Sequence, residues 1–405
     1  MAQDTKPLKG SRPGHSADQD KPKVLMLLAN PFLPDLRVLR EARSLSCRYQ
    51  VTVLAFDHTG RQPRREVTGG VCIERVSPAL LRTLGPSLQK LHLTLLFGLP
   101  LFYLAALRWL FQDFRLVHCH DLDTLPLGVL LGKLKRAKLI FDAHEDFPAM
   151  IGFRRGRLTR RLFFGLERLL MRRADAVLVV GEIMKEEYQR RTNRPIYLVG
   201  NWKDAQDFRE RPELIHPKVI EAQEQGKLIV SYLAGINATR VILPLLEAAQ
   251  EDPGVFVLVA GGRAGNPVTR PIERAAAKLP NALYLGWLSP EELEAYFAFT
   301  DAVYYCLRPE APNNRYSASN TVFSGLAAGK TVITTEIGEV GRIVKDRRCG
   351  IVMREAIKEE ILKAFAALQD RDRLKRLQQN ALQAAGDYSW HRAEETLLKL
   401  YEELV

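Results

Sequence analysis

Apolar and polar positions fall into two kinds of block along this chain. Short runs that are apolar almost throughout recur from end to end. In the first half these are "KVLMLLA", "VTVLAF", "VCIERV", "RLVH", "KLIFDA", "AVLVVG" and "IYLVG"; in the second they are "LIVSYLAG", "VFVLVAGG", "ALYLGW", "AVYYCL", "TVITT" and "GIVM". Between them lie amphipathic stretches such as "PDLRVLREARSLS" and "SPEELEAYFAFTD". Strands apolar along their whole length, bounded by helices, predict parallel sheets covered on both faces. Two such series predict an α/β chain of two doubly wound, Rossmann-like domains facing each other across a cleft, since ligands of open sheets bind at the carboxyl ends of strands. The expected division is a domain over 22–200, a linker over 201–227, a second domain over 228–388 and a closing helix over 389–405. The linker is polar, contains proline and has no strand pattern. Residues 1–21 are polar and rich in proline and glycine, with no apolar core of a secretory signal, and predict a disordered tail.

One stretch departs from the alternation. "LHLTLLFGLPLFYLAALRWLF", Leu91 to Phe111, approaches the length of a membrane span. Gly98 and Pro100 interrupt it, and His92 and Arg108 sit near its ends. A span, a helix pair in the core and a segment lying in the membrane interface are all open readings.

Charge narrows the partners. The 405 residues carry a formal net charge of +12, which favours acidic partners such as nucleotide phosphates, anionic lipid or nucleic acid. The segment "GFRRGRLTRRLFFGLERLLMRRAD" concentrates that charge: Arg154, Arg155, Arg157, Arg160, Arg161, Arg168, Arg172 and Arg173 stand with a single acidic residue, Glu167, before Asp175. It reads either as a solvated helix face or as a surface for anionic lipid. Interleaved stacking aromatics and a known reading module are both missing, so no nucleic-acid partner is expected. Cys47, Cys72, Cys119, Cys306 and Cys349 form no C-x-x-C pair and no metal-ligand spacing, which fits reduced thiols in the cytoplasm.

Several stretches can carry chemistry. The loop after the first strand, "ANPFLPDLR", lacks G-x-G-x-x-G, and "GGRAGN" (Gly261 to Asn266) lacks its spacing, which argues against a nicotinamide dehydrogenase. No P-loop, H-E-x-x-H or G-x-S-x-G occurs. "LVHCHDLDT" places His118, His120, Asp121 and Asp123 at a strand end, where a capping Asp, a cleft histidine or a weak metal set can be drawn; no standard ligand spacing is met. "FDAHEDFPAM" clusters Asp142, His144, Glu145 and Asp146, and either Glu145 or Asp146 can orient a hydroxyl or cap the next helix. In "YLAGINATRVILPLLEAA", Gly235 is expected to allow a tight turn, and Arg240, near the next helix start, suits a diphosphate beside helix N–H groups. "NNRYSASNTVFSGLAAGKTVITTEIGEV" has no charge between Ser317 and Gly329; Asn320 is expected to cap a short helix and Gly329 to end it.

Taken together, these stretches resemble the GT-B glycosyltransferases, specifically the large retaining family 4, over nearly the whole chain after the tail. "VLMLLANPFLPDLRVLREARSL", "FRLVHCHDLDTLPLG", "KLIFDAHEDF", "ADAVLVVGEIMKEEY", "SNTVFSGLAAGKTVITTEIGEVGRIV" and "YSWHRAEETLLKLYEEL" carry the likeness in order. The resemblance implies a sugar moved with retention from a nucleotide-diphosphate sugar on the second domain to an acceptor on the first. The acceptor is expected to be lipid-linked or a polysaccharide, at the cytoplasmic face of a membrane, with no metal or other cofactor. The closing helix is implied to cross back to the first domain. By position His120 matches the catalytic-cleft histidine, Arg240 the phosphate contact, and Ser319, Asn320 and Thr321 the loop receiving phosphate and sugar oxygens; "YLGWLSPEE" matches the base region. His118, Asp121, His144 and Glu145 fall on the acceptor side. Four positions depart from the family pattern: Ser324 stands where a glutamate usually binds the ribose, Tyr316 where a second acidic residue is common, and Ile236 and Thr321 where basic residues are frequent. Loss of a carboxylate–diol contact costs ~1–3 kcal/mol of binding, roughly 5–150-fold. A catalytically inactive relative serving as a binding or scaffold subunit of a glycan-synthesis complex is therefore the alternative, and a nucleotide-sugar epimerase a third reading.

Overall fold

A computed structural model describes residues 21–33, 35–77, 98–262 and 266–405. The tail over 1–20, the part of the apolar stretch before Gly98 and the centre of "GGRAGN" lie outside the described residues. The chain divides into two compact units, one of residues 1–139 with 403–405 and the other of residues 140–402.

In the first unit, β1 (Lys23–Leu28), β2 (Gln50–Phe56), β3 (Arg65–Thr68), β4 (Val71–Val76) and β5 (Leu116–His120) stand in the order β3-β4-β2-β1-β5. All pairs are parallel except β3 with β4. β1 is buried from Val24 to Leu28 and pairs with β2 on one side and β5 on the other, so the strand order reverses between β1 and β5. β3 was not expected. Thr68 pairs with Val71 across Gly69-Gly70, at φ +59° and +80°, which is the left-handed pair that a two-residue hairpin needs. The flanking helices are α1 (Leu36–Ser46), α2 (Leu99–Ala106) and α3 (Leu125–Lys135). Of the apolar stretch, the described part is α2 and a 3₁₀ turn over Leu107–Phe111; Phe102 and Ala106 face inward. Among the described residues no helix is long and apolar enough to cross a membrane.

The second unit begins within β6 (Lys138–Ala143), which pairs in parallel with β7 (Ala176–Val179), and β7 with β8 (Ile196–Leu198). Helices α4 (Phe147–Arg155), α5 (Arg157–Met171) and α6 (Glu182–Gln189) connect them. The segment over 201–227 has no strand; its helix α7 (Pro217–Glu224) sends Val219 and Ala222 into an apolar cluster with Leu233, Phe256 and Leu258.

A six-stranded parallel sheet follows: β9 (Leu228–Leu233), β10 (Val255–Ala260), β11 (Ala282–Gly286), β12 (Ala302–Tyr304), β13 (Thr331–Thr335) and β14 (Gly350–Met353). Its order, β11-β10-β9-β12-β13-β14, is that of a dinucleotide-binding sheet, with the reversal between β9 and β12. β9, β10 and β13 are buried along their whole length, as strands covered on both faces must be. The helices are α8 (Leu243–Glu251), α9 (Arg270–Ala276), α10 (Pro290–Ala298), α11 (Asn320–Ala327), α12 (Gly338–Arg347), α13 (Lys358–Gln369), α14 (Arg371–Ala385) and α15 (Trp390–Leu404). α15 buries Trp390, Ala393, Leu397, Leu400 and Tyr401, the three- and four-residue spacing of one face.

Candidate functional site

The six-stranded sheet puts a group of sequence-selected residues at its reversal point. The loop leaving β9 is held in place by its backbone: Arg240 bridges Leu307, Arg308 donates its N–H to the Thr239 carbonyl (2.9 Å), and Val241 donates to Cys306 (3.1 Å). Arg240 thus sits three residues before α8, beside the strand on the other side of the switch. Its guanidinium lies 5.0 Å from the centroid of the Tyr305 ring and hydrogen-bonds the phenol of Tyr232. Burial holds the Tyr232 pKa above the ordinary range, while Arg240 pulls it down. Arg240 Nε is buried, with no acceptor among the described residues.

Gly235 corrects one expectation. It is not among the residues at positive φ, so it makes no left-handed turn. A Cβ there would meet nothing within 4 Å, so the glycine leaves open space at the end of β9. The left-handed glycines are Gly261 (φ +112°), Gly262 (+82°) and Gly286 (+68°). A side chain at Gly261 would come within 2.0 Å of the Ala234 carbonyl oxygen, so only glycine lets the ends of β9 and β10 approach. Leu233, Ala234, Gly235, Ala260, Gly261, Trp287, Leu288 and Leu293 line a small, mostly apolar pocket of about 90 Å³. Ile236, where a basic residue would suit a phosphate, is buried.

α11 closes the other side of the switch. Thr321 Oγ1 donates to the Leu233 carbonyl at 3.0 Å, tying the first turn of the helix to the end of β9. Ser319, not Asn320, is the N-cap; its side chain makes no capping bond, and the exposed Asn320 is the first helical residue. The first-turn N–H groups of any helix lack intrahelical acceptors and carry its positive dipole end. Gly329 (φ +70°) ends the helix as expected, with Lys330 N–H donating to Gly325 O at 2.8 Å. Ser324 and Tyr316 are both buried, and burial raises the Tyr316 pKa.

The acidic stretch after β6 is mostly committed to structure. Asp146 Oδ1 accepts the Ala149 N–H at the start of α4, and Oδ2 pairs with Arg191, so it caps. Asp142 lies 3.0 Å from His144 Nε2. Glu145 is exposed and accepts from Asn313 Nδ2 (3.2 Å), on the turn leading to α11.

In the first unit His118 and His120 are buried and their rings stack, 4.4 Å between centroids. Asp121 follows at φ +64°, an uncommon conformation for a residue other than glycine and one that gathers at functional strand ends. Glu41 joins the two histidines, their candidate ligand atoms lying within 4.8 Å of one another. Arg37 Nε donates to Glu41 Oε1 at 2.9 Å. A guanidinium so close works against a cation.

Sequence reasoning missed Tyr305 and Tyr232, which place Arg240, because aromatic strand residues read as core. Arg75 was missed as well. It is buried and donates to Pro31 O (2.9 Å) and Phe32 O (3.3 Å), holding the β1–α1 loop with Phe32 at φ +54°. Glu339 is the third. Its buried carboxylate accepts the N–H groups of Glu182 (3.1 Å) and Ile183 (2.9 Å), capping α6.

Comparison with known proteins agrees with this architecture. The family model described as Glycosyltransferase Family 4 matches residues 37–207, and that described as Glycosyl transferases group 1 matches residues 235–371. Sucrose-phosphate synthase from Thermosynechococcus elongatus superposes with a TM-score of 0.74 at 16% identity, over 95% of this chain and 99% of that one. Anabaena HepE in complex with UDP gives 0.67 at 13%, over 94% and 100%. The E. coli trehalose-6-phosphate structure bound with UDP-2-fluoro glucose gives 0.68 at 12%, over 94% and 99%. The D-inositol 3-phosphate glycosyltransferase of Nocardia farcinica (strain IFM 10152) is 29% identical over 188 residues, 44% of this chain; the chain spans 40% of that relative's length. Two glycosyltransferase family models thus match successive parts of the chain, and its fold is the GT-B fold of two Rossmann-like domains.

Proposed function

We propose that this chain transfers a hexosyl group, with retention, from a nucleotide-diphosphate sugar to a lipid-linked or polysaccharide acceptor at the cytoplasmic face of a membrane. The observation that carries the reading is Arg240, a half-buried guanidinium with an unmatched Nε donor, beside Tyr305 and Tyr232 at the switch point of the six-stranded sheet. A diphosphate there receives Arg240 from one side and the first-turn amides of α11 from the other. The open space at Gly235 admits it, and the apolar pocket beside Trp287 accepts a base. As the glycosidic bond to phosphate breaks, negative charge grows on the diphosphate, and fixed donors already aimed at it lower the barrier without a resident metal. His120 is the candidate catalytic residue, and His118, Asp121, His144 and Glu145 are the candidates for the acceptor. HepE in complex with UDP and the E. coli neighbour bound with UDP-2-fluoro glucose support a nucleotide-sugar donor.

The test is calorimetric titration with uridine, guanosine and adenosine diphosphates, followed by sugar release from the matching donors. One diphosphate should bind, and Arg240→Ala should weaken it about tenfold or more while the fold stays intact. Equal affinity in the variant would sink the reading. A scaffold role is the second reading, favoured by the neutral, buried Ser324 and Tyr316. It predicts no binding of any of the three nucleotides by a folded sample.

A further inference from the structure

Helix α5 faces the opposite way from what its pattern suggests. Glu167 and Met171 point inward, and the leucines point out: Leu158, Leu162 and Leu169 are 82%, 70% and 58% exposed, and Leu166 38%. At about 100° per residue these four fall within one arc of about 80°, a continuous apolar stripe. Arg161, Arg168 and Arg172 flank it on one side and are exposed, with no ion pair among the described residues. The C-terminal end of α5 opens into a cleft of about 530 Å³ lined by Arg168, Arg172, Arg190, Arg191, Thr192 and Arg194, with Asn193. Arg191 is neutralised inward by Glu167 and Asp146, and Arg194 donates to the Arg172 carbonyl at 2.7 Å and 3.0 Å. Arg190 reaches one carboxylate, Glu187, at 3.5 Å.

Each half of this surface has an ordinary explanation alone, but the combination selects one occupant. A second copy packed leucine to leucine about a two-fold axis would bring the same arginine rows together. Nucleic acid would satisfy the arginines and leave the leucines in water. An anionic bilayer satisfies both, with apolar side chains at the acyl boundary and guanidiniums among the phosphates. We infer that α5 is an in-plane docking helix for an anionic phospholipid surface, its leucine stripe entering the interface and a lipid phosphate held in the cleft of Arg168, Arg172, Arg190 and Arg194. The inference rests on the membrane-face part of the proposed function and is independent of the donor.

Flotation of the full chain with vesicles tests it, comparing phosphatidylglycerol–phosphatidylcholine mixtures with phosphatidylcholine alone. Binding should require the anionic lipid and weaken in high salt. Leu158→Gln/Leu162→Gln and Arg168→Gln/Arg172→Gln should each lower the partition coefficient about tenfold or more, with unchanged thermal unfolding and nucleotide titration. The inference fails if neither vesicle is bound, if both are bound equally, or if either double variant binds as the parent does. Pyrophosphate uptake by the cleft without vesicle binding would overturn it in favour of a soluble anion. A dimer abolished by the leucine variant would overturn it in favour of self-association. Vesicle binding without any nucleotide binding would leave it standing and count against the donor reading.

Discussion

Two helices of the second unit, α11 and α5, use similar apolar residues to opposite ends. α11 carries no charge, and every residue from Thr321 to Ala327 is buried. Gly325 lies so close to β12 that a Cβ would come within 2.8 Å of Val303 Cγ2, and Phe323 packs against the rings of Trp202 and Tyr388. What α11 can offer a ligand is therefore its backbone N-terminus. α5 carries its apolar residues outward and buries a carboxylate, Glu167, which meets Arg191 (2.9 Å) and the Tyr188 hydroxyl (2.9 Å). What α5 offers is a side-chain surface. An apolar stripe thus marks a core only where the neighbouring elements leave that side covered.

Substitutions sharpen this contrast in a graded way. Phe323→Ala should be the most damaging, about 3–5 kcal/mol in chemical denaturation, because a large side chain leaves a closed aromatic cluster. Arg191→Met should cost a comparable but smaller amount, about 3 kcal/mol, by leaving Glu167 and Asp146 buried without their cation. The same group supplies a pH signature. Burial, with Asp146 adding to it and Arg191 opposing, raises the Glu167 pKa from an ordinary 4.5 to about 7. Between those values the folded chain holds a proton that the unfolded chain has released, so stability should fall as pH rises from about 4.5 to about 7 and then level off. Melting temperatures across that range should show the slope in the parent and lose it in Glu167→Gln. Ser324→Glu, on the inner side of α11, should shift nucleotide affinity or sugar preference by roughly 5–150-fold; unchanged donor binding would place the ribose elsewhere. Leu162→Gln on α5 should change stability least, by about 0.5 kcal/mol or less, since its side chain already meets water. A loss as large as that of Phe323→Ala would show that α5 is covered after all.

Much of the fold was legible because buried parallel strands announce themselves as uninterrupted apolar runs; each described strand except β3 lies where such a run stands. β3, with the alternating pattern of a half-exposed edge, was overlooked, although Gly69-Gly70 marks its hairpin. The site was legible in part. Arg240, Thr321 and Gly235 stand together at the sheet's reversal point, yet Gly235 supplies room instead of a turn, and Ser319 takes the cap expected of Asn320. Cys306 and Cys349, whose thiols burial pushes up to about 12, are core residues.

The sequence by itself determined the order of strands and helices, the two doubly wound series and the concentration of arginine around residue 160, because these follow from local periodicity and composition. Only the tertiary structure decided which face of α5 meets water, that Arg240 rests between Tyr232 and Tyr305, and that Glu339 caps a helix more than 150 residues earlier in the chain. Those outcomes depend on which distant segments compete for the same side chain, and desolvation settles that competition: a buried donor, acceptor or charge must find its partner wherever the fold brings one.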